Sequence, residues 1–509
     1  MANAFTVSRS QAIFGLCIPL AVLVGYLLAR PYESTTLAVL VFLFTVILGP
    51  LIIQWYHPAL LICWNAAITP FFLVGWVHLW TIVAWVGFIV ALVNRAVNPA
   101  KKFINVPGVT RSLIFLTLVI LFTAATTGGM GARALGSETY GGRKYFYILA
   151  AIAGYFALTS RRIPVEKATL WTTIFFLAGI TSLVSNLIYM AGSKFYFLFY
   201  LFPAEFAVGQ AVTAERPINP IPRVTGAMPA AWAVIFWLLA KYGLRGSVDL
   251  SKPWRTTLFF GAIIIGLMSG FRSFVIFLLL VLCVQFFLEG LHRTPFILSA
   301  GAVTIIGFAL LMGCAYRLPT NVQRALSFLP VPVDPAVRSD AEGSFEWRLE
   351  MWRYLLPDIP KYLLKGKGYA INPREHLLSW ESARRGAAPT SDPAMVTADY
   401  HNGPLSVLIP FGIWGALAVV WFWIAAGRVL YLNYKYGHPA LHYMNTALFA
   451  LFIAKVVNFV VFVGALSSDM AQFTGLLGLS ISLNGGVAPR TVPELEFVED
   501  EPQLATQTA

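Results

Sequence analysis

Apolar runs close to twenty residues long recur along almost the whole of this 509-residue sequence. Each matches the roughly 20 residues a helix needs to cross about 30 Å of hydrocarbon. They fall at residues 13–29, 36–54, 57–73, 75–94, 112–125, 145–160, 169–188, 225–240, 256–270, 273–289, 295–314, 403–427, 441–463 and 470–485. With 58% of residues hydrophobic and 12% charged, against roughly 25% charged in ordinary globular chains, a water-soluble fold could not cover the apolar surface. The pattern predicts an all-α membrane protein: a polytopic helical bundle of about 12–14 transmembrane helices with one large, partly helical periplasmic loop. The stretch from 54 to 75 is the weakest span, because Gln54, His57, Asn65 and Pro70 interrupt it.

Charge in the short loops sets the expected orientation. Arg95, Lys101, Lys102 and Arg111 lie in one loop, Arg161, Arg162 and Lys167 in a second, and Lys241, Arg245, Lys252 and Arg255 in a third. Even numbers of spans separate them, so one topology puts all three in the cytoplasm together with both termini; Arg133, Arg143, Lys144 and Arg216 run against this bias. Residues 1–314 then form the N-terminal transmembrane helices, 315–402 the large periplasmic loop, 403–486 the C-terminal transmembrane helices and 487–509 a disordered cytoplasmic tail. The first run has no small-residue cleavage site before the next begins, and reads as a retained span. Cys17, Cys63, Cys283 and Cys314 lie in or beside apolar runs, which argues against disulfides and a cysteine zinc site. The net charge of +13 is spread over the loops with no basic stripe, so it reads as topology and contact with membrane lipids, with no nucleic acid as partner.

Residues 256–289 are apolar except at Ser269-Gly270-Phe271-Arg272-Ser273. One helix of that length would run about 50 Å, and basic residues flank both ends, so the stretch must be a hairpin with Arg272 at its outer tip. Arg223 precedes the span 225–240 and so lies at the same outer edge. By position alone either arginine serves equally as a headgroup anchor. Among the seven histidines, His292, His438 and His442 fall on the cytoplasmic side, His57 lies near it and His78 sits in a span. His376 and His401 belong to the outer loop, and His401 is the better candidate because Asp399-Tyr400-His401-Asn402 leads directly into the span 403–427. Trp347, Met351 and Leu355 recur at helical spacing, so the loop should carry an amphipathic helix near 345–356, ended by Pro357.

His401-Asn402, followed by Leu405, Ile409, Gly412, Ile413 and Gly415, resembles the signature of the O-antigen ligase and polymerase superfamily of polytopic, GT-C-like membrane glycosyltransferases. Arg348, Trp352, Gly366 and Gly368 are similar to that family's large-loop run, and the segments 223–226 and 269–272 to its two arginine sites. Phe271 departs from the small polar residue more usual there. The resemblance implies a metal-independent, inverting transfer of a polysaccharide from undecaprenyl diphosphate to an acceptor hydroxyl, on lipid A-core or similar, at the periplasmic face of the bacterial inner membrane, without cofactors. Arg223 and Arg272 would bind the diphosphate as planar cations. His401 would act as general base, with Arg348 and Asn402 as secondary candidates.

An O-antigen or exopolysaccharide polymerase would share the donor and differ in acceptor. Metal chemistry finds no Asp-x-Asp pair and no acidic or histidine cluster at ligand spacing in the outer segments. Glycosidase chemistry would need paired carboxylates, and Asp399 and Glu350 read as solvated loop acids. A transporter of lipid-linked sugars would place charges along many spans, and these spans carry almost none.

Overall fold

The computed structural model describes residues 17–19, 21–22, 25, 49, 51–71, 76–98, 103–131, 140–208, 210, 221, 223–384 and 393–490. The chain divides into two units, Met1–His57 and Pro58–Ala509. The expected spans 13–29 and 36–54 lie largely outside the described residues, as does most of the tail expected to be disordered.

An apolar helix α1 (Leu51–Cys63) is followed by α2 (Leu79–Val97), α3 (Pro107–Thr127), α4 (Gly142–Leu158), α5 (Val165–Leu177), α6 (Val184–Ala191), α7 (Ala227–Ser247), α8 (Pro253–Leu267), α9 (Arg272–Leu288) and α10 (Phe296–Cys314). The polar segment carries α11 (Thr320–Leu326), α12 (Pro335–Leu355), α13 (Ile359–Tyr362), α14 (Pro373–Arg384) and α15 (Pro393–Val396), and the chain returns through α16 (Gly403–Tyr436), α17 (His442–Val457) and α18 (Leu466–Asn484). Among the described residues seven helical stretches are long and apolar enough to cross a membrane, α1, α8 and α9 are shorter apolar helices, and the only pairing of extended backbone given is an isolated bridge between Tyr140 and Ile371. The protein is an all-α, multi-pass membrane protein.

The expected span 57–73 is not one helix. The chain leaves α1 at Cys63, and the polar residues that weakened the pattern tie the irregular run to its neighbours. Trp64 Nε1 donates to the Ala471 carbonyl at 3.1 Å and Asn65 Nδ2 to that of Phe175 at 2.8 Å. The amides of Thr69 and Phe71 donate to the carbonyls of Leu201 and Tyr200. Non-helical backbone at this depth is stable only where such partners satisfy it.

With lipid on the outside, helices hold together by close packing and small residues. Gly154 of α4 and Gly475 of α18 both abut the Trp64 indole, and Gly478 lies against Leu158. One ion pair sits inside the bundle, contrary to the nearly charge-free spans expected. Lys455 Nζ of α17 lies 2.7 Å from Asp469 Oδ1 of α18, both about nine-tenths buried. Asp469 Oδ2 also accepts the Ala465 amide at 2.9 Å.

The amphipathic helix of the polar segment is longer than expected, starting at Pro335 behind the Asp334 cap, whose side chain accepts from the Ala336 amide. Val337, Ala341, Met351 and Leu355 are its buried residues, and a short 3-10 turn over Leu356–Asp358 follows.

α16 is broken near its start. Pro410 lacks an amide hydrogen, and Gly412 takes φ +63° and ψ −161°. The freed backbone groups are taken up by the loop: Ile413 N donates to Leu363 O at 2.7 Å, Lys367 N to Ile409 O at 2.8 Å and Gly368 N to Pro410 O at 2.9 Å. Gly366 at φ +77° passes so close that a Cβ would lie 2.3 Å from the Pro410 carbonyl oxygen. Replacing Gly366 by alanine is expected to destabilise the protein by at least the 1–3 kcal/mol or so of a left-handed backbone in a non-glycine residue. Gly427→Ala, at a position with open space, should not. Melting curves of the purified variants in detergent check both outcomes.

Candidate functional site

Three helices begin at one end of the bundle around the polar segment. The hairpin α8–α9 closes as anticipated: Gly270 at φ +75° makes the turn that a side chain would strain, and Phe271 is the N-cap, leaving Arg272 as the first residue of α9. The seven-residue α11 clamps this tip. Asn321 Nδ2 donates to the Met268 carbonyl at 2.8 Å, and Arg324 Nη1 to the Gly270 carbonyl at 2.7 Å. Arg324 is 3% exposed, and its Nε binds the Asp340 carboxylate of α12.

Arg223 reaches the same carboxylate, its Nη2 3.8 Å from Asp340 Oδ2. Its backbone is set by the residues that follow. Thr225 Oγ1 donates to the Phe206 carbonyl at 2.6 Å, the Gly226 amide to Asn186 Oδ1 at 2.9 Å, and Ser182 Oγ to the Gly226 carbonyl at 2.8 Å. A Cβ on Gly226 would lie 2.1 Å from the Ser182 carbonyl oxygen, where the 3-10 stretch Ala178–Leu183 interrupts the helical run. The Arg223 guanidinium lies 5.9 Å from the centroid of the Phe271 ring. The departure at Phe271 thus has a physical role: it supplies a π face for a cation in place of a hydroxyl.

Arg223 therefore faces Arg272, Arg324 and Arg348 with Asp340 in their midst. Burial, then the charge of Arg324, then those of Arg348 and Arg272, pull Arg223 below its ordinary value, and Asp340 opposes them in part. Burial and Arg324 do the same to Arg348, opposed by Asp399. Arg348 also buries an Nε without a hydrogen-bond partner. Four guanidiniums against two carboxylates leave a surplus of positive charge, and each cation disfavours the charged form of its neighbours.

His401 stands beside this cluster. Its ring meets Trp347, the neighbour of Arg348, edge-on at 5.7 Å between centroids. Its Nδ1 is 3.8 Å from Asp399 Oδ1, the carboxylate that acts on Arg348. Asp399 thus adjoins the site while its side chain stays about half exposed, as a solvated loop acid would be. His401 has φ +48° and Ala398 φ +55°, sparsely populated backbone for residues with a side chain, of a kind that gathers at functional sites. The turn is pinned from α4: Lys144 Nζ donates to the carbonyls of Thr397 and of Ala398, the latter at 3.0 Å. Trp352 Nε1 donates to the Tyr400 carbonyl at 2.8 Å.

Of the residues anticipated, Arg223, Arg272 and Arg348 are thus brought together, with His401 adjoining. Asn402 is the N-cap of α16, its Oδ1 accepting the Leu405 amide at 3.0 Å. His376 stacks edge-on with Tyr140 and accepts from Trp380 Nε1 at 3.3 Å. Glu350 and Arg353 are exposed on α12. Arg324, Asp340 and Lys144 were missed. A lone arginine in a seven-residue helix carries no periodic signal, but Lys144 opposed the positive-inside pattern, and a basic residue on the disfavoured side was the available hint. No group of three or more His, Cys, Asp and Glu side chains able to hold a metal ion converges among the described residues.

The bundle and this cluster define a polytopic membrane protein with a cationic, histidine-flanked site at one end. Residues 257–420, about a third of the chain, match a family model described as O-antigen ligase. The resemblance read in the sequence is thus shown over the segment that holds Arg272, Arg324, Asp340, Arg348, Asp399 and His401, with Arg223 lying before it. The match supports a membrane enzyme of the ligase and polymerase kind, for which lipid-linked glycans are the general class of substrate. No curated protein matches the chain.

Arg324→Met leaves the Gly270 carbonyl without its donor and Asp340 without its main partner. It should lower stability by about 1.5–3 kcal/mol, the range for hydrogen bonds to a charged group, and weaken binding of inorganic pyrophosphate. Arg324→Lys should not restore either, because an ammonium cannot fork to both acceptors. Melting temperature and pyrophosphate titration of purified protein check this.

Proposed function

We propose that the protein is an O-antigen ligase-like glycosyltransferase. It moves a polysaccharide from undecaprenyl diphosphate to an acceptor hydroxyl, on lipid A-core or a similar glycan, at the periplasmic face of the inner membrane, without a metal and with inversion of the anomeric centre. The observation that carries this reading is the convergence of Arg223, Arg272 and Arg348 around Asp340 with His401 alongside. The helix starts at Ala227, Arg272 and Gly403 add the positive ends of their dipoles to that corner, a setting that favours phosphate.

Breaking the bond between sugar and diphosphate develops negative charge on the leaving oxygens. Arg223 and Arg272 hold that charge as permanent planar cations, with Arg348 adding to the field. The attacking hydroxyl must lose its proton as the new bond forms, and His401 accepts it. A single displacement from the face opposite the diphosphate inverts the anomeric carbon. Asp340 keeps the arginines from repelling one another before the donor arrives.

Replacing His401 by alanine should reduce transfer by about 10²–10⁴-fold, the span for loss of a general base, and Arg272→Ala should weaken both donor binding and turnover. A chelator should leave the rate unchanged. Surface polysaccharide gels of a deletion strain complemented with each variant, together with assays of purified protein in detergent, are the measurements. Undiminished transfer by His401→Ala removes its role, and retained anomeric configuration removes the single displacement. In the deletion strain, loss of the whole ladder with polymer left on its carrier indicates a ligase. A single capped repeat indicates a polymerase. Transfer in detergent, with no sealed compartment, excludes transport as the sole activity.

A further inference from the structure

His401 has a carboxylate at its Nδ1 and a lysine-pinned turn beneath it, and neither is needed to hold a diphosphate. The turn is where the backbone is least at ease: Ala398 and His401 both take positive φ within four residues. Lys144, from α4, donates to the carbonyls of Thr397 and Ala398, and its ammonium also lies 5.5 Å from the centroid of the Tyr369 ring. Trp352 holds the Tyr400 carbonyl from the other side. The two residues flanking Asp399 are thus fastened to separate helices, which fixes where its carboxylate can go.

We propose that Asp399 is a positioning residue for His401, accepting from the imidazole Nδ1 so that the Nε2 lone pair is the one presented to the acceptor hydroxyl, while Lys144 holds the strained turn that keeps the two side by side. The inference rests on the reading of His401 as general base. The separation of 3.8 Å between Nδ1 and Asp399 Oδ1 is roughly 1 Å beyond a hydrogen bond, and contacts of this kind tighten when substrate is bound. An imidazole with no acceptor on Nδ1 is free to carry its proton on either nitrogen, and half of its orientations are useless for proton abstraction at a fixed point.

The carboxylate of Asp399, which adjoins His401, also acts on Arg348 of α12 and Lys144 of α4. The carboxylate favours the imidazolium, and the two cations oppose it. Removing the carboxylate while leaving both cations must lower the pKa of His401. The charge alone accounts for that shift, so the positioning role is read from the plateau rate against the donor KM.

The test uses the full-length protein in detergent, with membranes of a deletion strain as the source of both donor and acceptor, and follows transfer against pH. In the unaltered protein the rate should fall on the acid side as His401 becomes protonated. In Asp399→Asn the acid limb should move to lower pH by about half a unit or more, the plateau rate should fall roughly 10–100-fold, and the apparent KM for donor should stay within about twofold. Asp399→Glu should return the limb towards its original position. Lys144→Met should lower the plateau without changing the donor KM. Melting temperatures keep a folding defect distinct: Asp399→Asn is isosteric, and if it melts lower, its pH profile is recorded below its melting transition. An acid limb and plateau unchanged in Asp399→Asn, with His401→Ala inactive, overturns the positioning role and leaves the general-base reading standing. Full activity of His401→Ala overturns both.

Discussion

The contact on which the site depends is the buried guanidinium of Arg324. It joins a backbone carbonyl of the membrane hairpin, that of Gly270, to the Asp340 carboxylate of the polar segment. Without it the hairpin tip and α12, which carry Arg272 and Arg348, would share only the looser link through Arg223, which lies over the Phe271 ring and 3.8 Å from Asp340. Arg324 is also the cation whose field presses most on Arg223 and Arg348. One residue thus assembles the cluster and makes it uneasy. On the proposed reading such a site acts by electrostatic preorganisation: the dipoles and charges would be aimed before the reaction and need not reorient during it.

The histidine side of the site is built by different means. α16 gives up its regular ladder at Pro410 and Gly412, and the chain at 363–368 supplies the missing partners. The glycines of the resemblance, Gly366, Gly368 and Gly412, are in this light joinery. Gly366 and Gly412 let loop backbone and helix backbone approach where a Cβ would collide, and Gly368 lies against the side chains of Thr127 and Tyr145. Gly403, at the head of the same helix, lies against the Phe459 carbonyl and ring, and Ser406 Oγ accepts the Leu466 amide at 3.1 Å. The start of α16 is therefore gripped by the loop on one side and by the turn before α18 on the other. His401, two residues upstream, inherits that rigidity.

Much of this was legible in the sequence, and the reasons differ by residue. The hairpin at 269–273 followed from length and flanking charge, since no other fold of a 34-residue apolar stretch fits the hydrocarbon thickness. Arg223, Arg272 and His401 followed from their places at span ends. Arg324 and Asp340 were not legible, because their pairing depends on how a seven-residue helix meets a loop helix, and neither has a period to read. Asp399 keeps the exposure of a loop acid, and what the sequence could not show is that its turn is held by Lys144, more than 250 positions away in the chain. The span 57–73 failed because its polar residues find partners inside the bundle, so apolar content overstated the helix.

Among the described residues, the Lys455–Asp469 pair and the arginine corner differ in how far their charges are balanced. Lys455 and Asp469 neutralise one another deep among the helices, and Asp469 also accepts the Ala465 amide that begins α18. A balanced, enclosed pair of this sort has no affinity left for a ligand and fastens structure. A small cavity of about 120 Å³ adjoins Lys455 among Trp64, Trp232 and Phe277, yet its only charge is already paired. The arginine corner is the reverse: partly open, with cations in excess of carboxylates and helix starts pointing at it. Excess charge at a membrane surface is stable only if water or an anion answers it, and an anion carried by a lipid reaches that depth without leaving the bilayer. On the proposed reading a diphosphate on an isoprenoid chain would meet that condition, whereas a free soluble anion would have to shed its water to sit among half-buried guanidiniums.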